Sequence, residues 1–133
     1  MAFDESKYKE TSELVKKIDL NGRDFNLFEI DFFLRICPHH NPVLDGRDGK
    51  VAEYTQRREG NQGFIIYSWG DLGEKIQRPL IFHQVVEIYH LEKEKMEKNE
   101  AHRATIPWEK RFCQEYLNNF ELENYFKFKG IMR

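Results

Sequence analysis

PLIFHQVVEIYHLEKEKMEKN, residues 79–99, contains no glycine and no proline after its first residue. Proline suits the first turn of an α-helix, because the backbone N–H that it lacks would be unpaired there anyway. Apolar residues cover one broad side of the helical wheel, and opposite charges at a spacing of four in the last turns are typical of a solvated surface. The stretch therefore predicts a long helix with one buried side, on which the rest of the chain packs.

Two further segments favour helices. Residues 4–18 mix charged residues with spaced apolar ones, a pattern that is typical of a surface helix. Residues 100–118 place large apolar side chains at a spacing of four, and Pro107 either kinks that helix or begins a new one.

Other segments have the alternation of β-strands. Apolar and polar residues alternate over residues 28–36, but Phe33 breaks the pattern and leaves a helix as the alternative. Residues 51–57 and 63–69 are short β-prone runs separated by a polar turn, which predicts an antiparallel pair. The tail alternates over residues 125–129 and favours a last edge strand or irregular structure.

The length and composition fit one domain that spans residues 1–133. The chain is 40% hydrophobic and contains 11 Phe, 6 Tyr and 2 Trp, enough large apolar side chain for one core but hardly for two. We therefore predict an α+β fold, with a small antiparallel sheet packed against two or three helices in a single domain.

Charge and cysteine usage limit the expected location and partners. The 21 Lys and Arg against 23 Asp and Glu give a net charge of -2, so a nucleic-acid partner is not expected. The sequence contains no apolar run of membrane-spanning length and no secretory pattern in its first twenty residues, so we expect a cytoplasmic protein without membrane contact. Cys37 and Cys113 lie far apart without a CxxC partner, which argues against a zinc–thiolate site.

Three side chains with possible ligand atoms share one face of the predicted long helix. His83, Glu87 and His90 occupy positions i, i+4 and i+7, which lie within about 60° of one another around a helix axis. An imidazole and a carboxylate four residues apart present two ligands to one point, as zinc-binding helices do. This face lies at the rim of the apolar side, so the sequence predicts a site that is dehydrated and still reachable.

The next helical segment supplies the remaining candidates. His102 and Glu109 are seven residues apart, which is two turns along one face if the helix is continuous. We therefore predict a metal site made of His83, Glu87, His102 and Glu109. His90 is the substitute if Pro107 diverts Glu109.

This set of ligands indicates a class of metal and of reaction. Imidazole and carboxylate ligands without a thiolate suit zinc, with iron or manganese as alternative divalent metals. Zinc lowers the pKa of a bound water towards about 7, which makes a zinc-type, hydrolase-like protein acting on an amide or ester the leading hypothesis. The substrate is not indicated, and Glu87, Glu109 or another carboxylate would have to accept the proton of the water.

A sequence resemblance covers about residues 83–111. His83 and Glu87, followed by Ala101-His102, Ala104, Thr105 and Glu109, are similar to a pattern of HE-x-x-E and then AH-x-x-A-T-x-x-E in uncharacterised bacterial and phage-associated proteins, with the Ala-Thr pair one residue earlier in this chain. The resemblance implies no particular activity. Gln84 stands where the HE pattern has glutamate, the general base of zinc peptidases, so hydrolysis by that route is not implied.

A non-catalytic protein-interaction module is the alternative function. In that case the histidines are structural, and the 14% of aromatic residues form an interface with a protein partner or with another copy of the chain. A second group of possible ligands, His39 and His40 with Asp45 and Asp48, lies in a segment rich in Pro, Asn, Asp and Gly and is interpreted as a polar loop.

Overall fold

The computed structural model describes residues 4–39, 54–57 and 63–129. In chain order its elements are α1 (Glu5–Lys17), β1 (Asp24–Leu27), β2 (Ile30–Cys37), β3 (Tyr54–Arg57), β4 (Gly63–Trp69), a 3-10 turn (Gly70–Leu72), α2 (Glu74–Glu92), α3 (Lys98–Tyr116) and α4 (Asn119–Lys129). The predicted α+β class is confirmed. Among the described residues, no helix has both the length and the apolar character needed to cross a bilayer.

The strands form one mixed sheet in the order β1-β2-β4-β3. The pairs β1–β2 and β3–β4 are antiparallel, the second as predicted. The central pair β2–β4 is parallel, with Phe32 beside Phe64 and Leu34 beside Ile66, and here the sheet departs from the expected antiparallel arrangement. Alternation of side chains indicates a strand but not the direction of a distant partner, and residues 38–62 leave enough chain for a parallel return.

The strand predicted from Phe28 begins instead at Ile30, because Phe28 and Glu29 form the turn of a hairpin. Both residues have positive φ angles, 56° and 64°, as a two-residue hairpin turn of the I′ type requires. Such turns favour Asn and Gly, and neither occupies these positions, so the sequence did not predict a hairpin turn here. The Phe28 ring packs against Tyr89 of α2 with centroids 4.8 Å apart, which holds the turn against the helix.

Three helices match the predicted segments with shifted bounds. Helix α1 is capped by Asp4, whose side chain accepts a hydrogen bond from the Lys7 N–H. Helix α2 starts five residues before Pro79 and ends at Glu92, so it is displaced towards the N-terminus. Lys95, with φ of 57°, lies in the link to α3. Helix α3 runs through Pro107 without ending there.

Helix α4 replaces the predicted edge strand. Asn118 and Glu121 form a capping box, in which Asn118 Oδ1 accepts from the Glu121 N–H and Glu121 Oε1 accepts from the Asn118 N–H, both at 2.9 Å. This reciprocal pair satisfies two backbone donors at the start of the helix. The local cap outweighs the alternation of residues 125–129, and residues 130–133 lie outside the described part of the chain.

Helix α2 lies at the centre of the molecule. Every residue from Pro79 to His90 is buried. This part of the helix is therefore covered on all sides, whereas its apolar pattern predicted burial of one side only. A stacked pair, Phe82 and Phe112 at 4.4 Å, joins it to α3, and Tyr8 of α1 meets the Phe82 ring edge-on. Polar residues on such a helix must find partners inside the protein.

Candidate metal centre

Helices α2 and α3 bring three potential ligands together. His83 and Glu87 lie one turn apart on α2, and His102 faces them from α3. One ligand atom of each residue lies within 4.8 Å of the other two, so the group could hold a metal ion. His83 and Glu87 are buried, whereas the His102 side chain is 53% exposed. The group therefore extends from the protein interior to the surface.

The separations of the ligand atoms suit a small divalent ion. His83 Nε2 lies 2.9 Å from Glu87 Oε1, and His102 Nδ1 lies 3.6 Å from the same oxygen. An ion about 2.0–2.2 Å from each ligand atom holds neighbouring atoms roughly 3 to 3.6 Å apart. The two imidazole rings have centroids 5.1 Å apart at an angle of 59°, so they approach the carboxylate from different directions.

The His83 ring lies between two carboxylates. Its Nδ1 is 2.6 Å from Glu109 Oε1 and its Nε2 is 2.9 Å from Glu87 Oε1. A carboxylate only accepts hydrogen bonds, so both contacts are favourable only if each ring nitrogen carries a proton or faces a cation. A metal ion on the Glu87 side would replace the second proton of the ring.

Electrostatics agree with this geometry. Burial alone would lower the pKa of His83, but the negative charge of Glu109 and the hydrogen bonds to Glu109 and Glu87 outweigh burial and raise that pKa. Burial would raise the pKa of Glu87, and the neighbouring His83 and His102 lower it instead. Glu87 therefore keeps its negative charge, and a metal ion would have to displace the proton on His83 Nε2.

Glu109 lies behind His83 and not among the three grouped ligands. Its side chain is fully buried, and its Oε1 binds the ring nitrogen that faces away from Glu87. On the other oxygen, Oε2, it accepts a hydrogen bond from the Tyr125 hydroxyl and lies 3.6 Å from Lys129 Nζ. The continuous helix places Glu109 on the same side of α3 as His102, as predicted, but deeper in the protein.

The charge on Glu109 is stabilised inside the protein. Burial would raise the pKa of its carboxyl group, but the charge and hydrogen bond of His83, the charge of Lys129 and the Tyr125 hydroxyl lower that pKa to about 2. Tyr125 and Lys129 were not predicted from the sequence, because the tail pattern favoured a strand. The Asn118-x-x-Glu121 cap was the signal that could have revealed their helix.

His90, the predicted substitute, has a separate environment. The ring is buried against Trp108, with centroids 5.3 Å apart, and its Nδ1 lies 3.2 Å from the Thr105 hydroxyl. Burial lowers the pKa of His90. Pro107 does not divert Glu109, which was the condition for the substitution, and His90 is not in the group formed by His83, Glu87 and His102.

The structure also describes Gln84 and one member, His39, of the second group of possible ligands. Gln84 is buried beside His83, and its neutral amide cannot accept a proton as a glutamate would. His39 is exposed, and its predicted companions His40, Asp45 and Asp48 lie outside the described residues.

The aromatic residues mostly fill the core of the described part of the chain. Over residues 4–39 and 63–129, the exposed large hydrophobic side chains are Ile36 and Phe120, at 37% and 74% exposure. The predicted aromatic-rich interface, with a protein partner or a second copy of the chain, stays a prediction.

Comparison with known proteins does not add a family or a function: no family model, curated protein or solved structure matches this chain. The resemblance to bacterial and phage-associated proteins therefore stays a prediction. The geometry of the His83, Glu87 and His102 group is the observation on which a functional argument can rest.

Proposed function

We propose that the protein binds one zinc-type divalent ion through His83, Glu87 and His102 and uses it in hydrolysis of an amide or ester. The convergence of these side chains from two helices carries the proposal. Two of them are buried, and a buried carboxylate facing an imidazole nitrogen is stable only with a proton or cation between them. The His102 side chain is 53% exposed, so one member of the group is in contact with solvent.

The ligand types favour zinc. Two imidazoles and one carboxylate are the protein ligands of several zinc hydrolases, and such a set leaves a coordination position for water. A zinc ion there lowers the pKa of bound water to about 7. Iron(II) and manganese accept similar ligands, so the bound metal must be identified by measurement.

The proton acceptor for hydrolysis differs from that of a glutamate-based peptidase. Gln84 has no basic group, and both oxygens of Glu109 already have partners. Within the proposal, one oxygen of Glu87 binds the ion. Its second oxygen is then the carboxylate oxygen that can accept the proton of the water. Hydrolysis would then be slower than in enzymes with a dedicated base.

Metal analysis tests the proposal. Purified wild-type protein, stripped with a chelator and titrated with Zn²⁺, should bind one ion per chain. Loss of a residue that only hydrogen-bonds a metal ligand costs up to roughly 100-fold in metal affinity. Because His102 is itself a proposed ligand, His102→Ala should weaken zinc binding by more than that. His102 is the better variant because its exposed ring can be removed with little effect on folding.

The matched control is His39→Ala, which removes another exposed histidine, one that is not in the group. It should retain wild-type zinc affinity. Absence of zinc binding by the folded wild type would overturn the proposal and favour the interaction module. Zinc binding without hydrolysis of model esters or peptides would retain the site and remove the enzymatic part.

A further inference from the structure

Glu109 connects the candidate metal centre to the C-terminal helix. Its Oε1 lies 2.6 Å from His83 Nδ1 on α2, and its Oε2 accepts from Tyr125 on α4. Lys129, one turn beyond Tyr125 on α4, places its ammonium 3.6 Å from the same Oε2. Three elements therefore meet at one fully buried carboxylate.

We propose, on the basis of the metal site above, that Glu109, Tyr125 and Lys129 are positioning residues that hold His83 for the metal through its Nε2 atom. None of the three belongs to the group of possible ligands. Glu109 accepts a hydrogen bond from the Nδ1–H of His83, which leaves Nε2 to face Glu87 and to bind the proposed ion. Tyr125 and Lys129 keep Glu109 in place and charged.

Each partner of Glu109 has a separate physical effect. The Tyr125 hydroxyl is fully buried and donates to Oε2, so it limits rotation of the carboxylate about its last bond. The Lys129 ammonium balances the charge of Glu109 in a region with little water. A His83 ring fixed in this way needs no reordering when the ion arrives, and pre-ordered ligands bind more tightly.

The arrangement also explains why a fully buried glutamate occurs in α3. A carboxylate without partners at this position would be strongly destabilising, whereas this one has three. Fully apolar side chains would fill the same space without this cost. A buried carboxylate that is paired behind a candidate ligand, at a position where apolar packing carries no such cost, therefore supports a function of that ligand.

Zinc titration of substituted proteins tests the proposal. Tyr125→Phe removes one hydroxyl and retains the ring, and Lys129→Met removes the charge and retains most of the apolar stem. Each should weaken zinc binding roughly tenfold, and Glu109→Gln should weaken it by up to roughly 100-fold. Phe126→Leu is the matched control, because Phe126 is a buried neighbour on the same helix without a polar group. It should leave zinc affinity within about twofold of wild type, since it removes no hydrogen bond to Glu109 or His83.

Nitrogen NMR of the His83 ring separates positioning from general stability. In zinc-loaded wild type, we expect the proton on Nδ1 and the metal on Nε2. The Nδ1–H signal should change in Tyr125→Phe and Glu109→Gln, but not in Phe126→Leu. Zinc bound through Nδ1, or equal affinities for Tyr125→Phe and the control, would overturn the positioning role.

The two proposals fail in different ways. If folded wild-type protein binds no zinc, the metal site itself fails and the positioning role fails with it. If the wild type binds zinc and His102→Ala does not, but all three positioning variants bind as the control does, the metal site stands. In that case Glu109, Tyr125 and Lys129 only stabilise the fold.

Discussion

Two carboxylates face the His83 ring, and each requires a proton or a cation on the nitrogen that it contacts. Glu109 needs the Nδ1 proton of the ring to remain a stable buried anion, whereas Glu87 needs a proton or a metal ion on Nε2. In the metal-free protein a ring protonated on both nitrogens would satisfy both carboxylates, and, against the effect of burial, the pKa of His83 is shifted in that direction, upwards, by the charge of Glu109 and by hydrogen bonds to Glu109 and Glu87. The residue is therefore important for stability as well as for metal binding.

The stability role predicts a contrast between the two histidines. In metal-free protein, His83→Leu leaves Glu109 and Glu87 without their shared partner and should lower the free energy of unfolding by about 3–5 kcal/mol. His102→Ala removes an exposed ring and should cost less than about 1 kcal/mol. Urea unfolding of both variants at neutral pH, with chelator present, measures the difference. Equal stability of the two variants would show that the buried network contributes little.

Spacing along helices was sufficient to predict three of the site residues. His83 and Glu87 follow from the i, i+4 rule, and His102 from its seven-residue spacing to Glu109 on the next helical segment. The role of Glu109 could not be predicted, because its depth depends on how α3 crosses α2. Tyr125 and Lys129 were beyond reach once the tail was interpreted as a strand.

At the scale of elements, α2 depends on the turn that precedes it. Gly73 has φ of 81° and ψ of 155°, and its carbonyl accepts hydrogen bonds from the N–H groups of Ile76 and Gln77. That backbone conformation is essentially restricted to glycine. Gly73 thus fixes the start of the helix that carries His83 and Glu87.

Substitution of Gly73 isolates the backbone effect. A Cβ at this position would meet nothing within 4 Å, so Gly73→Ala should be destabilising through backbone strain alone, by about 1–3 kcal/mol. The control is Gly70→Ala, where φ is ordinary and the nearest atom, Ile36 Cγ2, lies at a normal contact distance of 3.5 Å. Chemical denaturation measures both variants. A Gly73→Ala protein that is at least as stable as Gly70→Ala would contradict the structure of this turn.

The elements also show where sequence patterns were informative. Helix α1 and strand β2 were predicted because their periodicity matches local geometry, and strand β4 because its residues are β-prone and follow a polar turn. The parallel direction of β2 and β4 was not, since it depends on a contact distant in sequence. The hairpin at Phe28 and Glu29 was hidden because neither residue is a usual turn former.

At the scale of the whole molecule, Arg111 ties the N-terminal helix to α3. Its guanidinium donates two hydrogen bonds to Glu5 at 2.6 Å each and one to Glu115 at 3.2 Å. The hydrogen bond from Arg111 lowers the pKa of Glu5. Burial would raise the pKa of Glu115, but hydrogen bonds from Tyr8 and Arg111 lower it.

The lowered carboxyl pKa values predict a pH dependence of stability. A group with a lower pKa in the folded state than in the unfolded state stabilises the protein above its unfolded pKa, and this contribution is lost as pH falls. Wild type should therefore exceed Arg111→Gln in unfolding free energy at pH 7, and the difference should shrink below the ordinary carboxyl value of 4.5. Urea unfolding at several pH values tests this. A difference that stays constant or grows in acid would contradict the assignment.

Zinc should stabilise the whole fold if the site is formed in the native state. An ion that binds the folded chain and not the unfolded one adds about 2.7 kcal/mol at a free concentration of 100 times its dissociation constant. The midpoint temperature of thermal unfolding should rise in the wild type with added Zn²⁺ and should return to its starting value with chelator. In His102→Ala the rise should be much smaller. Equal shifts in both proteins would indicate binding elsewhere.

X-ray absorption at the zinc edge, on wild-type protein loaded with one equivalent of Zn²⁺, tests the central claim most directly. The structure predicts two imidazole nitrogens and one or two oxygens at about 2.0–2.2 Å, with one imidazole signal lost in His102→Ala. A spectrum with sulfur ligands, with a single imidazole in the wild type, or unchanged in His102→Ala would contradict the site formed by His83, Glu87 and His102.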